Sequence, residues 1–148
     1  MQRFSTSLAI EAGPQAVWSL LVDTAAYPAW NSTVARIDGR IEAGATLRVQ
    51  AKIAAARAFP VRVAEFAPPR RMAWIGGMPL GLFAGVRIFT LEPIADGAVR
   101  FTMEETYGGL LAPLIARSIP DLQPAFDAFA ADLKRRAEAA PARPRVEA

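Results

Sequence analysis

Neither cysteine nor histidine occurs in the 148 residues. Without them the chain can form no disulfide, no thiolate–zinc or imidazole metal site, no Ser-His-Asp triad and no Cys-His pair. Acid–base chemistry would fall to Asp, Glu, Tyr, Lys or Arg, and the residues present support neither a metal nor a nucleotide cofactor. A long hydrophobic run is missing too. The longest uncharged apolar window, residues 73–86, holds four glycines and a proline, so it is too short and too broken for a membrane span. The opening MQRFSTSLAIEAG has no apolar run behind a basic start, so a soluble cytoplasmic protein without a secretory leader is expected. No internal repeat or low-complexity tract appears.

What is present is a globular composition, 53% apolar and 21% charged, in a chain long enough for one domain with its own core. The net charge of +3 hints at nucleic acid until it is counted by region. Of the 17 basic and 14 acidic side chains, five and two lie from Lys134 onward, which leaves residues 1–133 balanced at 12 of each. Basic residues near a helix end suit its macrodipole. There is no basic stripe with interleaved aromatics, so no nucleic-acid partner is expected.

The chain is organised around residues 121–139. Leu122, Phe126, Phe129 and Leu133 recur at helical spacing on one face, with Asp127, Asp132, Lys134 and Arg135 expected on a face turned to water. Most of what precedes it alternates with a period of two. Phe4, Thr6, Leu8 and Ile10 form the inner face of a first strand. Gly13-Pro14 then opens a short helix to about Val22, and residues 25–30 form a second, capped by Asp23 or Thr24 and kept short by Pro28. Six further strands are expected over 33–38, 46–53, 59–63, 72–75, 86–92 and 99–107. Leu47, Val49, Ala51, Ile53, Phe59, Val61 and Val63 point inward, and residues 76–82 form a loop. Leu110, Leu111, Leu114 and Ile115 suggest a helical segment that Pro120 interrupts. The proline- and arginine-rich residues 140–148 read as a flexible tail after a domain of 1–139. Successive hairpins imply an antiparallel sheet, so the class is α+β with the order β-α-α-β-β-β-β-β-β-α.

That order, with Val17-Trp18, Asp23, Tyr27-Pro28-x-Trp30-Asn31 and the Phe-x-x-x-Leu-Lys run from Phe129 to Lys134, resembles the START-like, helix-grip superfamily. This set is also called SRPBCC, or polyketide cyclase/dehydrase and lipid transport, and the resemblance spans roughly residues 3–138. It implies a curved seven-stranded sheet wrapped around the C-terminal helix, with an apolar cavity between them. Members include lipid, hormone and pigment carriers, ubiquinone-binding proteins and aromatic polyketide cyclases, so fold alone does not assign function.

The last hairpin yields the most informative polar feature. A three-residue loop at Ala95-Asp96-Gly97, with Gly97 left-handed, sets Leu91 opposite Phe101, Phe89 opposite Met103 and Arg87 opposite Glu105. Four of these six are apolar, so their shared face is the inner one and Arg87–Glu105 is an ion pair in or at the mouth of the cavity. It is either a cross-strand pair at a solvated sheet end or the polar handle for a ligand headgroup. The expected lining comprises Trp30, Phe59, Trp74, Phe83, Phe89, Phe101, Tyr107, Leu111, Ile115, Leu122 and Phe126. Tyr107 adds a hydroxyl that needs a partner if buried.

Two functions follow. One is non-covalent binding of a small hydrophobic molecule (lipid, polyketide or isoprenoid-like) for transport, sequestration or sensing. The other is a cyclase or dehydratase with Glu105 as acid–base and Arg87 or Tyr107 polarising a carbonyl. Glu104 and Glu105 are strand neighbours on opposite faces, which excludes a paired-carboxylate glycosidase site. GGMPLGLFAG and GGLLAPLIA match no phosphate loop or dinucleotide fingerprint. They read as flexible apolar loops or as a portal that touches a membrane transiently. Asp23, Asp38 and Asp96 read as caps and turn formers.

Overall fold

The computed structural model describes residues 3–54 and 58–139. Seven strands, β1 (Arg3–Ile10), β2 (Val34–Asp38), β3 (Thr46–Ala51), β4 (Phe59–Ala67), β5 (Arg71–Met78), β6 (Phe83–Ala95) and β7 (Ala98–Gly108), form one antiparallel sheet in the order β1-β7-β6-β5-β4-β3-β2. Every consecutive pair from β2 to β7 is a hairpin. The exception is the crossing from β1 at one edge to β2 at the other, which uses α1 (Pro14–Val22), a 3₁₀ turn (Thr24–Ala26) and α2 (Tyr27–Trp30). After β7 come α3 (Ala112–Ile115), a second such turn and the long α4 (Gln123–Ala139). The sheet curls into a half-barrel over α4. The flexible tail expected at 140–148 lies outside the described residues.

The β6–β7 register is the expected one, with Arg87 opposite Glu105, Phe89 opposite Met103 and Leu91 opposite Phe101. The turn is tighter than the expected three-residue loop. Ala95 pairs with Ala98 around Asp96-Gly97, and a shift between Pro93 and Ala95 restores the alignment. Gly97 has φ of 73°, a value that suits glycine.

Several boundaries move. The loop expected over 76–82 shrinks, because β5 runs on to Met78 and β6 starts at Phe83. Gly77 makes this possible, since at φ 136° any Cβ there would fall on the Phe83 carbonyl oxygen. Strand β3 stops at Ala51 and turns into a 3₁₀ segment, so Ile53 is exposed rather than inward. Neither Asp23 nor Thr24 caps through its side chain; the Thr24 hydroxyl donates instead to the Gly39 carbonyl at 2.7 Å. Helix α4 begins at Gln123, whose N–H the Asp121 Oδ1 accepts at 3.0 Å.

Phe129 is the centre of the core. Its ring lies 6.1 Å from Tyr27, Trp30 and Phe89 and stacks at 6.2 Å on Phe101. Helix α4 thus joins α2, β6 and β7 through one side chain. Asp132 departs from the reading of α4 as a helix with a charged outer face, for it is only 5% exposed.

Candidate functional site

Alternation along β6 and β7 sends Arg87, Glu105 and Tyr107 to the inner face near the end where α4 begins, and there they bond to one another. Arg87 Nε donates to Glu105 Oε1 at 2.5 Å, and the Tyr107 hydroxyl donates to Oε2. The Arg87 and Glu105 side chains are 24% and 14% exposed, so the pair is largely withdrawn from water. The Arg87 guanidinium also sits over the Phe126 ring, 4.8 Å from its centroid. A cross-strand pair at a solvated sheet end would lack both the burial and the aromatic cover.

A glycine makes room for the tyrosine. Gly85 faces Tyr107 across the ladder, and a Cβ there would stand 3.0 Å from the Tyr107 ring and 3.8 Å from Glu105 Oε2. The ring therefore lies across bare backbone on its way to the carboxylate. Phe83 stacks on it at 5.6 Å, and Phe4 meets it edge-on at 6.4 Å. Trp74 stands opposite Arg87 on β5, and its buried Nε1–H has no partner among the described residues.

Burial pushes the Glu105 carboxyl up, but the Arg87 charge and the hydrogen bonds from Tyr107 and Arg87 outweigh it, leaving Glu105 below the usual carboxylate range. Burial, with the Glu105 charge and hydrogen bond, pushes the Tyr107 hydroxyl well above the usual phenol range. At neutral pH the cluster is thus a guanidinium, a carboxylate and a neutral phenol. Tyr27 is raised as well, chiefly by burial, and its hydroxyl donates to the Leu21 carbonyl at 2.6 Å. Since the chain has two tyrosines, a titration at the tyrosinate absorption band should show neither ionising until well above pH ~10. Gly85→Ala should displace the Tyr107 ring from Glu105 and bring one of the two down towards ~10. An unchanged curve would mean that the ring does not depend on the glycine.

The remaining residues expected to line a cavity fall into two groups. Trp30, Phe89, Phe101 and Phe126 are buried and pack, directly or through Phe129, into the core. Phe83, Leu111, Ile115 and Leu122 are half-buried where β6 begins, β7 passes into α3 and α4 starts, and Phe59, at the start of β4, is exposed rather than inward. Two grooves, about 480 and 280 Å³, flank the last turns of α4 beside Ala139, the first between α4 and Leu8 of β1, and neither is lined by Arg87, Glu105 or Tyr107.

Sequence reasoning missed the Asp132 cluster. Its Oδ2 accepts the Ser32 N–H and the Ser32 hydroxyl, each at 2.7 Å, and its Oδ1 accepts from Arg135. Burial raises this carboxyl, but those bonds and the Arg135 charge hold it below the usual range. Asn31 belongs to the same turn, its Oδ1 accepting the Thr33 N–H at 3.0 Å and the Thr33 hydroxyl at 2.6 Å. The run Asn31-Ser32-Thr33 is a turn signal, but nothing in it reports a partner a hundred residues away.

The family described as "Polyketide cyclase / dehydrase and lipid transport" matches residues 1–138. No curated protein matches the chain. Among solved structures, a hypothetical protein from Helicobacter pylori superposes with a TM-score of 0.74 at 15% identity, covering 92% of this chain and 88% of that one. A Zhui aromatase/cyclase from Streptomyces sp. R1128 gives 0.74 at 11% identity, with 94% of each chain covered. A START superfamily protein from Mycobacterium smegmatis gives 0.69 at 18% identity, covering 93% of this chain and 97% of that one. At these identities the likeness is one of fold. No helix among the described residues is long and apolar enough to cross a membrane.

Proposed function

We propose, because this chain belongs to the polyketide cyclase/dehydrase and lipid-transport family, that it binds a small hydrophobic molecule at the mouth between the sheet and α4. Arg87, Glu105 and Tyr107 grip the polar end of that molecule. The observation that carries this reading is a hydrogen-bonded charge pair set into an otherwise apolar inner face, beside a buried indole N–H with no partner among the described residues. Withdrawing two charges from water is costly even when they are paired, so the pair is poorly explained as a contribution to stability. Ligand sites characteristically combine an apolar wall with a few convergent polar groups.

The chemistry on offer is donor-rich. Both Glu105 oxygens already accept hydrogen bonds, whereas an arginine has five N–H donors, and Trp74 adds one more. Because the pair is neutral overall, it suits an uncharged oxygen acceptor such as a carbonyl, a quinone or an ester better than an amine or a free anion. Carriage, sequestration or sensing fits such a site. The cyclase or dehydratase reading has less support, since a carboxyl held below its ordinary range is a weak base and has no proton to give at neutral pH. It would be revived by substrate turnover that Glu105→Gln abolishes while binding survives.

The test combines native and solvent-extracted mass spectrometry of the purified protein with the double variant Arg87→Met/Glu105→Gln. A co-purified apolar molecule at near-unit stoichiometry is the expected result. The double variant removes both charges together, so its stability should stay within about 1–2 kcal/mol of wild type, while affinity for the extracted molecule falls roughly tenfold or more. Equal affinity would remove the proposed handle.

A further inference from the structure

Seven large apolar side chains among the described residues are strongly exposed, and six of them, Ile53, Phe59, Met78, Leu80, Leu110 and Leu114, lie at one end of the sheet. That is the end where β3 stops, β4 begins, β5 turns into β6 and β7 passes into α3. The seventh, Ile94, is beside the hairpin at the opposite end. Leu80, Leu110 and Leu114 are the most exposed, at 90%, 81% and 65%. Their two segments are joined by backbone hydrogen bonds, Leu110 N–H to the Gly81 carbonyl at 3.0 Å and Leu111 N–H to the Leu82 carbonyl at 2.8 Å. Such an apolar patch on a monomer marks an interaction surface.

Two further observations say what kind. Leu80 has φ of 64°, a left-handed conformation unfavourable for any residue with a Cβ. It is thus held in a strained turn with its side chain almost wholly in water, where glycine would satisfy the backbone better. Charge is also one-sided here. Residues 51–59, 76–84 and 107–120 contain no Asp or Glu, while Lys52 and Arg117 stand exposed among the apolar side chains. The next acid, Asp121, is engaged at the start of α4.

We infer that this end of the molecule docks on an anionic lipid surface, with Leu80, Leu110 and Leu114 entering the headgroup boundary while Lys52 and Arg117 face the lipid charges. Apolar insertion and cationic attraction are the two contributions that drive interfacial binding, and each alone is marginal. The surface surrounds the mouth described above, but the inference does not depend on a ligand being bound there.

The test is sedimentation of the full chain with vesicles of phosphatidylcholine alone and of phosphatidylcholine containing about one-third phosphatidylglycerol. Wild type should bind the anionic vesicles more tightly and release from them as ionic strength rises. Leu110→Ser/Leu114→Ser should weaken binding roughly tenfold or more, and Ile94→Ser should leave it unchanged. Leu80→Gly is the discriminating variant, because it should weaken vesicle binding while leaving the thermal midpoint unchanged or higher. The inference is overturned if wild type does not bind anionic vesicles, binds neutral ones equally, or binds as well without the leucines. It is also overturned if sedimentation velocity shows a dimer that the same substitutions dissolve, since the patch would then be covered by a second copy.

Discussion

Phe129→Ala should destabilise the protein by about 3–5 kcal/mol, the range for deleting a buried phenyl ring. The ring is 1% exposed and touches Tyr27, Trp30, Phe89 and Phe101, which belong to α2, β6 and β7. Rings on three separately anchored elements cannot all move inward to fill the void, so most of the lost dispersion contact stays lost. The measurement is urea unfolding, with the midpoint lowered at an unchanged slope. Phe129→Leu should cost markedly less, since it leaves a smaller void. A loss under about 1 kcal/mol in the alanine variant would mean that the site collapses freely and that the sheet–helix space is not packed around this residue.

Asp132→Ala should cost about 2–3 kcal/mol, the second-largest loss expected here. Two hydrogen bonds from Ser32 and one from Arg135 end on its carboxylate, and hydrogen bonds to a charged acceptor are among the stronger ones. A double-mutant cycle with Ser32→Ala should return a coupling of about 1 kcal/mol, because the hydroxyl bond is lost in either single variant. The pH dependence has a defined sign. Folding holds this carboxyl below its unfolded value, which is near ~3.9. Its stabilisation is therefore complete above that value and is lost as pH falls through the folded one. Asp132→Asn should accordingly show a smaller stability difference between mildly acidic and strongly acidic solution than wild type. Identical acid limbs would show that the buried carboxylate contributes nothing specific.

These two residues mark how far local pattern reaches. Phe129 was legible as a core residue because Leu122, Phe126, Phe129 and Leu133 repeat at helical spacing, and burial of that stripe follows from the hydrophobic effect alone. Asp132 was misread by the same rule. A carboxylate in the latter half of a helix, followed by Lys134 and Arg135, is locally expected to face water, and the macrodipole disfavours it there. What reverses the expectation is the Ser32 turn, a hundred residues earlier in the chain, and periodicity contains no information about that contact.

The polar cluster was partly legible for a physical reason. Centring the pairing on Asp96 sets Arg87 opposite Glu105, and the shift between Pro93 and Ala95 offsets the tighter Asp96-Gly97 turn, so the pairing is kept although the turn differs. The Tyr107 bond to the same carboxylate was not legible. It depends on Gly85 having no side chain and on Phe83 holding the ring, which are matters of packing rather than register. Likewise Trp74, Phe83, Phe89, Phe101 and Tyr107 share the inner face of the sheet, but alternation cannot separate those near Arg87 and Glu105 from those that meet Phe129. That division is set by where α4 crosses the sheet.

By itself, then, the chain's pattern determined the α+β class, the order of the elements, the long helix and the pairing of its last hairpin, because each rests on interactions between residues near in sequence or on strict periodicity. Only the tertiary structure decided that the deep aromatics fill the sheet–helix space, that Asp132 turns inward, and that the exposed leucines gather at one end. Each of these depends on segments far apart in the chain meeting at fixed distances, and that is settled by how a curled sheet closes on a helix.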